Sequence, residues 1–175
     1  MDELVSRLAA GEHDAFARLY DALADRLHHY LVALLGSRTD ADDALQETFA
    51  RLARHRRKLD EVENLTGYVF QIARNEARRF AERRSRRQAR ETSLSADDLF
   101  VASADPARPD DVGEKIAAGL TRLDDEHREV IELKTYAELT FAQIALVLEL
   151  PQGTVASRYR TALARLRVVM QRELP

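Results

Sequence analysis

The most constraining stretch lies near the C-terminus: Leu139-Thr140-Phe141-Ala142-Gln143-Ile144-Ala145, then Leu150-Pro151-Gln152-Gly153-Thr154-Val155-Ala156-Ser157-Arg158. Phe141, Ile144, Ala145 and Leu148 fall on one face of a short helix, and Val155, Tyr159, Ala162, Leu166 and Val169 on one face of a second. Thr140 and Gln143 have the spacing of a capping box, in which hydroxyl and amide satisfy orphan backbone amides reciprocally. The second helix opens at Pro151, whose fixed φ suits a first turn. A plain helical hairpin would satisfy the apolar pattern alone. The tight turn and the Gly-Thr-Val-Ala-Ser-Arg run favour a helix-turn-helix, which lays its second helix in the DNA major groove. Gln152, Thr154, Ala156, Ser157, Arg160 and Thr161 are then outward on the second helix, with Arg158 toward its edge.

Upstream, the pattern is helical from the start. Residues 3–10 predict a short helix that Gly11 interrupts. Phe16, Leu19, Tyr20, Leu23, Leu27, Tyr30, Leu31 and Leu34 then repeat with a helical period, and Gly36 is a fitting C-cap. Thr39 before Asp40-Ala41-Asp42-Asp43 predicts an N-cap followed by acid, which the exposed amides of a first turn favour. Leu45, Phe49, Leu52 and Ala53 continue that helix on one face; Asp42, Asp43, Gln46 and Glu47 lie largely outside it. By periodicity alone these four form a solvated face. Residues 56–66 lose the period and read as a loop. A further helix is expected from Thr66, buried through Val69, Ile72, Ala73, Ala77 and Phe80.

Charge along that helix is uneven. Between Arg74 and Arg90 stand eight arginines against two glutamates, although the chain carries net charge −3. Arg74 and Arg78 are one turn apart, and like charges at that spacing repel by a few tenths of a kcal/mol. A polyanion laid on this face would relieve the repulsion; an ordinary solvated helix would tolerate it. After this helix the period disappears and Ser, Asp, Ala and Pro dominate. The chain is therefore expected to be all-α, with two small helical domains, 1–87 and 113–175, joined by a flexible linker over 88–112 with a possible helical turn at 96–100. The second domain begins with a helix carrying Ile116, Leu120 and Leu123. Asp124 then caps one that carries Val130, Ile131, Leu133 and Ala137.

Composition excludes several classes. With 175 residues and 45% apolar content a core is within reach, and few prolines and glycines favour helices. No run of about 18 apolar residues exists, so no membrane insertion is expected. The acidic start Met1-Asp2-Glu3 lacks a secretory pattern, and with no cysteine the simple reading is a cytoplasmic protein without disulfides or thiolate metal sites. His13, His28, His29, His55 and His127 share no ligand spacing with carboxylates, and no glycine-rich phosphate loop is present. No catalytic residue, metal or cofactor is assigned, and the chain is not read as an enzyme.

Two stretches resemble the same family. Asp40-Ala41-Asp42-Asp43-Ala44-Leu45-Gln46-Glu47-Thr48-Phe49 with Gly67-Tyr68-Val69-Phe70-Gln71-Ile72-Ala73-Arg74-Asn75 is similar to region 2 of bacterial sigma factors of the extracytoplasmic-function (ECF) type. Leu123-Asp124-Asp125-Glu126-His127-Arg128-Glu129-Val130 through Gly153-Thr154-Val155-Ala156-Ser157-Arg158 is similar to region 4. The resemblance implies a transcription initiation factor that binds core RNA polymerase, through the β′ clamp and β flap, and promoter DNA, under the control of an anti-sigma factor. It assigns Asp42, Asp43, Gln46, Glu47 and Phe49 to the polymerase, which turns the acidic face into an interface. The loop at 58–65 corresponds to the segment that captures an extruded base of the −10 element, at a cost of a few kcal/mol offset by pocket contacts. Asn64, Tyr68, Arg74, Asn75, Arg78 and Arg79 are implied for the −10 element, and Gln152, Thr154, Ser157, Arg158, Arg160 and Thr161 for the −35 element.

The departures are informative. The family often has a basic residue where this chain has Ala156, arginines at Thr161 and Leu163, and Trp-Leu at Tyr68-Val69. A bidentate arginine contributes roughly 1–3 kcal/mol of base discrimination, so a weaker or altered −35 contact is expected. A stand-alone helix-turn-helix regulator would leave the first domain without a purpose. A sigma-like interaction protein that binds an anti-sigma factor as a decoy would fit the thinned basic face.

Overall fold

The computed structural model describes residues 2–91 and 119–173, and every regular element within them is helical. The order is α1 (Asp2–Ala10), α2 (His13–Leu35), α3 (Arg38–Arg54), a 3-10 turn (Arg56–Glu61), α4 (Leu65–Glu91), α5 (Asp125–Ile131) running into a π-helical turn (Glu132–Tyr136), α6 (Phe141–Leu148) and α7 (Gln152–Glu173). The all-α expectation holds. The linker expected over 88–112, its helical turn at 96–100 and Ile116 fall largely or wholly outside the described residues. The part that is described, up to Glu91, is still helix.

Helix ends follow the chemistry of their caps. Gly36 sits at φ 65° and returns its N–H to the Val32 carbonyl, closing α2. The cap of α3 is Ser37, not Thr39: Ser37 Oγ accepts the Asp40 N–H at 3.2 Å. A capping hydroxyl serves the amide three residues on, so the serine before the acidic run captures Asp40 and Thr39 enters the first turn. The stretch from residue 56 is a 3-10 turn rather than a loop, pinned by the buried Leu59. Asn64 Oδ1 accepts the Gly67 N–H at 3.0 Å and starts α4. Asp124 accepts the His127 N–H at 3.1 Å, and both halves of the Thr140–Gln143 capping box form, at 3.2 and 2.8 Å.

Helices α2, α3 and α4 each pack against the other two around Leu27, Leu31, Leu34, Leu52, Val69 and Phe70, with α1 against the 3-10 turn. Each such side chain contributes about 1.5–3 kcal/mol when fully buried. This core does not stop at the end of α4. It is contiguous with Val130, Leu133, Leu139, Ile144, Val147 and Val155 of the second half. Among the described residues, Leu120, Leu123, Ile131 and Ala162 form a separate, smaller cluster, with Tyr159 and Leu166 at its edge. Arg128 closes the join: its guanidinium donates to the Leu120, Thr121 and Leu123 carbonyls at 2.9, 3.2 and 2.7 Å. It thereby satisfies the carbonyls at the end of the helical residues 119–121, which precede α5.

Candidate polymerase and nucleic-acid interfaces

Three surfaces collect the residues singled out by sequence. The first is α3. Burial of Ala41, Ala44, Leu45, Thr48 and Leu52 turns the remaining positions outward. Asp42, Asp43 and Gln46 are exposed, while Glu47 and Phe49 are half-buried. Asp42 meets His28 Nε2 at 3.0 Å, and Glu47 pairs with Arg54. Phe49 packs on the half-exposed Tyr20 with ring centroids 4.9 Å apart. The pair walls an open groove of about 590 Å³ between α2 and α3, with Phe16, Ala17 and Ala53 along it and Arg56 at one end. The acidic face thus borders an apolar one, the mixture of aromatic anchor and charged rim found at protein–protein contacts.

The second surface is α4. Its arginines are not equally available. Glu76 is buried and binds Arg51 and Arg79, each at 2.9 Å. Arg84 donates to the Leu35 carbonyl at 3.1 Å and lies 3.7 Å from Asp40, so it complements the C-terminus of α2. Asn75 and Arg78 are exposed and make no hydrogen bond or ion pair with another described side chain. Tyr68 is half-buried against the core. Asn64 is the cap of its own helix and also accepts from Gln143 Nε2 at 3.3 Å.

Arg74 is placed differently. It donates to Glu129 of α5 through Nε to Oε1 at 2.7 Å and Nη2 to Oε2 at 3.0 Å, with only 12% and 10% of the two side chains exposed. Tyr30 of α2 donates its hydroxyl to the same Oε1 at 2.8 Å. Burial, then the Glu129 charge, hold the Tyr30 phenol well above its ordinary value, against the opposing charge of Arg74. Burial works against the Arg74 charge, but the hydrogen bond and charge of Glu129 outweigh it and raise that guanidinium further. Around this node the halves meet again. Arg26 Nε donates to the Ala137 carbonyl at 2.9 Å, Gln71 Nε2 to Glu149 Oε1 at 3.2 Å, and His29 stacks on Tyr136 at 4.7 Å.

The third surface is α7. Gln152, Ser157, Arg160 and Thr161 are exposed and Thr154 is half-buried. Arg158 lies 3.0 Å from Glu126, so part of its charge is used within the fold. Arg165 and His127 both reach Asp124; burial works against the Asp124 charge, but the His127 hydrogen bonds and charge, with the Arg165 hydrogen bond, together outweigh it and hold that carboxyl below its usual value. Leu163 and Val168, exposed by 43% and 49%, continue the outward side of α7.

Sequence reasoning missed Tyr30, Glu129, Arg26 and Gln71 as participants. One signal was available: a tyrosine on an apolar stripe needs a partner for its hydroxyl when buried. Glu129, four residues before Leu133, sits on an inward position of α5 where a carboxylate needs a cation.

Comparison with known proteins agrees with this layout. The model of Sigma-70 region 2 matches residues 19–87, and that of Sigma-70, region 4 matches residues 119–168. A three-helix core followed by a helix-turn-helix, in that order, is the class of RNA polymerase sigma factors. The ECF RNA polymerase sigma factor SigL of Mycobacterium tuberculosis is 35% identical over 173 residues, covering 95% of each chain. BldN of Streptomyces coelicolor is 30% identical over 179 residues, covering 95% of this chain and 65% of that protein. The chain belongs to the ECF sigma factors: it is a non-enzymatic initiation factor that directs RNA polymerase to promoters. Its fold is shared with CnrH, solved in complex with the cytosolic domain of CnrY (TM-score 0.69, 24% identity, 97% of this chain and 96% of that one). It is shared too with RpoE of Bartonella quintana, solved with the anti-sigma factor NepR (TM-score 0.68, 23% identity, 89% and 96%). Among the described residues no helix is long and apolar enough to cross a membrane.

Proposed function

We propose that this factor works in the cytoplasm as two domains, 1–87 and 113–175, on a linker over 88–112, and splits promoter reading between α4 and α7. On α4, Arg78 and Arg79 hold phosphates of the opened −10 strand, Asn75 and Tyr68 meet bases, and Asn64 and Arg74 join once their internal partners release them. On α7, Arg160 and Ser157 carry the −35 contact, with Gln152, Thr154, Arg158 and Thr161 beside them. The acidic face of α3, with Asp42, Asp43, Gln46, Glu47 and the Phe49 anchor, docks on the polymerase β′ clamp; the second domain meets the β flap.

The observation that carries this reading is the exposed end of α7. After the turn at Glu149 to Pro151, its first three turns present Gln152, Ser157 and Arg160 outward on a buried base of Val155 and Ala162. Run-off transcription with reconstituted core enzyme on a promoter library tests it. Arg160→Ala is expected to weaken promoter binding by roughly 1–3 kcal/mol and to relax one −35 position. Unchanged binding across all sequences would overturn the assignment.

Both solved relatives named above are held by another protein, one of them called an anti-sigma factor. The groove beside Tyr20 and Phe49 supports the same fate for this chain, because an apolar cleft next to the acidic face suits an inhibitor that competes with polymerase. Co-expression that blocks both holoenzyme assembly and labelling near Tyr20 is the expected sign.

A further inference from the structure

Asn64, Gly67, Gln71, Arg74 and Arg78 follow each other at spacings of three and four, so they form a single stripe along α4. The second domain covers the first four. Gln143 reaches Asn64 at 3.3 Å, and Glu149 reaches Gln71 at 3.2 Å. Leu146 lies so close that a Cβ on Gly67 would come within 2.9 Å of it, and Glu129 grips Arg74 with both oxygens. Only Arg78, the last of the stripe, is exposed. The helix-turn-helix therefore sits on the strip of α4 assigned above to the opened strand.

We propose that Glu129 is an internal stand-in for a DNA phosphate, and that Arg74 is a shared cation exchanged between the two. A guanidinium binds carboxylate and phosphate with the same two-pronged geometry, so one group serves both states without rearranging its own donors. In the closed form Arg74 is neutralised by Glu129, with Tyr30 holding that carboxylate in place. In the open form Arg74 takes a backbone phosphate, and Glu129 and Tyr30 return to water. Closure masks −10 reading, and strand binding and opening favour each other, since each removes what competes with the other. Glu129 and Tyr30 are positioning residues here; neither touches DNA. The inference rests on the placement of α4 against the −10 strand.

The test uses the full-length protein with cysteines introduced at the exposed positions Asp21 and Arg167 for a fluorescence pair; the chain has no others. A random-sequence single-stranded 20-mer pool is the DNA probe. Glu129→Gln is expected to lower energy transfer and to tighten pool binding fivefold or more at fixed salt. Tyr30→Phe, the milder variant, is expected to move both readouts the same way by less. Arg74→Gln is expected to open the molecule without the gain, and to flatten the salt dependence by about one ion. Far-UV circular dichroism verifies that each variant is folded. If Glu129→Gln leaves energy transfer unchanged, or Arg74→Gln binds the pool as tightly as Glu129→Gln, the exchange is wrong. Opening without a gain, while Arg78→Ala still weakens binding, overturns the exchange but leaves α4 as the strand holder. Indifference of pool binding to Arg74, Arg78 and Arg79 changes alike overturns the α4 assignment itself.

Discussion

The two halves of this sigma factor solve the same packing problem unequally. In the first, α2, α3 and α4 enclose a core of long aliphatic side chains plus Tyr30 and Phe70, all from residues before 78. In the second, the cluster that belongs to it alone is, among the described residues, Leu120, Leu123, Ile131 and Ala162. Its other buried side chains, among them Val130, Leu133, Leu139 and Ile144, continue the first half's core. A small domain buries a small fraction of its surface and is marginal by itself. The second half therefore leans on the first, through apolar continuity and through the Tyr30–Glu129–Arg74 node.

That inequality can be broken most sharply at Phe70, which is fully buried, 5.8 Å from the Tyr30 ring and 5.9 Å from the Arg26 guanidinium. Phe70→Ala is expected to cost about 3–5 kcal/mol. The loss should lower amide protection in both halves, because the side chain lies under the contact between them. Ile131→Ala, in the small cluster, should reduce protection from α5 to α7 and leave α2 to α4 as before. Native-state hydrogen exchange separates the cases. Equal effects of the two variants on both halves would mean that the halves are one cooperative unit rather than a host and a dependant.

A smaller effect is expected from Tyr30. Its phenol is held well above its usual range by burial and by Glu129, whereas an unfolded chain ionises tyrosine near pH 10. The stabilisation is complete below about pH 10. As pH rises further the unfolded state loses its proton while the folded state keeps it, so stability falls by on the order of 1.4 kcal/mol per unit. Tyr30→Phe removes this term, and the wild-type and variant urea midpoints should converge between pH 10 and 11. Parallel curves would show that Tyr30 is not sealed by the contact between the halves.

Much of this was legible beforehand because it is local. The stripe from Leu19 to Leu34, the cap at Asp124, the Thr140–Gln143 box and Gly36 need only neighbours within a turn or two. Where two local candidates competed, the nearer rule failed: Thr39 looked like the cap, but Ser37 stands three residues before the amide that is captured. The 3-10 turn escaped notice because a tight turn with one buried residue, Leu59, has no period to detect. The site was legible by surface and not by state. Periodicity placed Arg74 off the buried stripe, which is correct for α4 alone, yet the carboxylate that claims it lies 55 residues away on α5. A stripe says which face is covered and gives no information about what covers it. The acidic face of α3 shows the same limit in reverse: the pattern predicted solvent there, and the apolar groove beside it exists only once α2, α3 and the 3-10 turn are assembled.

The finest test concerns the turn that joins the two helices of the reader. Glu149 caps α6 at φ 57°, ψ 42°, a left-handed conformation that disfavours residues with a Cβ. Its side chain meanwhile tethers Gln71 across the contact between the halves. These roles oppose each other under substitution. Glu149→Gly relieves about 1 kcal/mol of backbone strain and removes one exposed tether of well under that value. The melting temperature is therefore expected to rise slightly, while the closed population falls. A residue that costs the turn stability and secures closure belongs to a molecule in which the second half is built to rest on the first. If the melting temperature drops instead, the tether outweighs the strain and the contact is stronger than its exposed hydrogen bonds suggest.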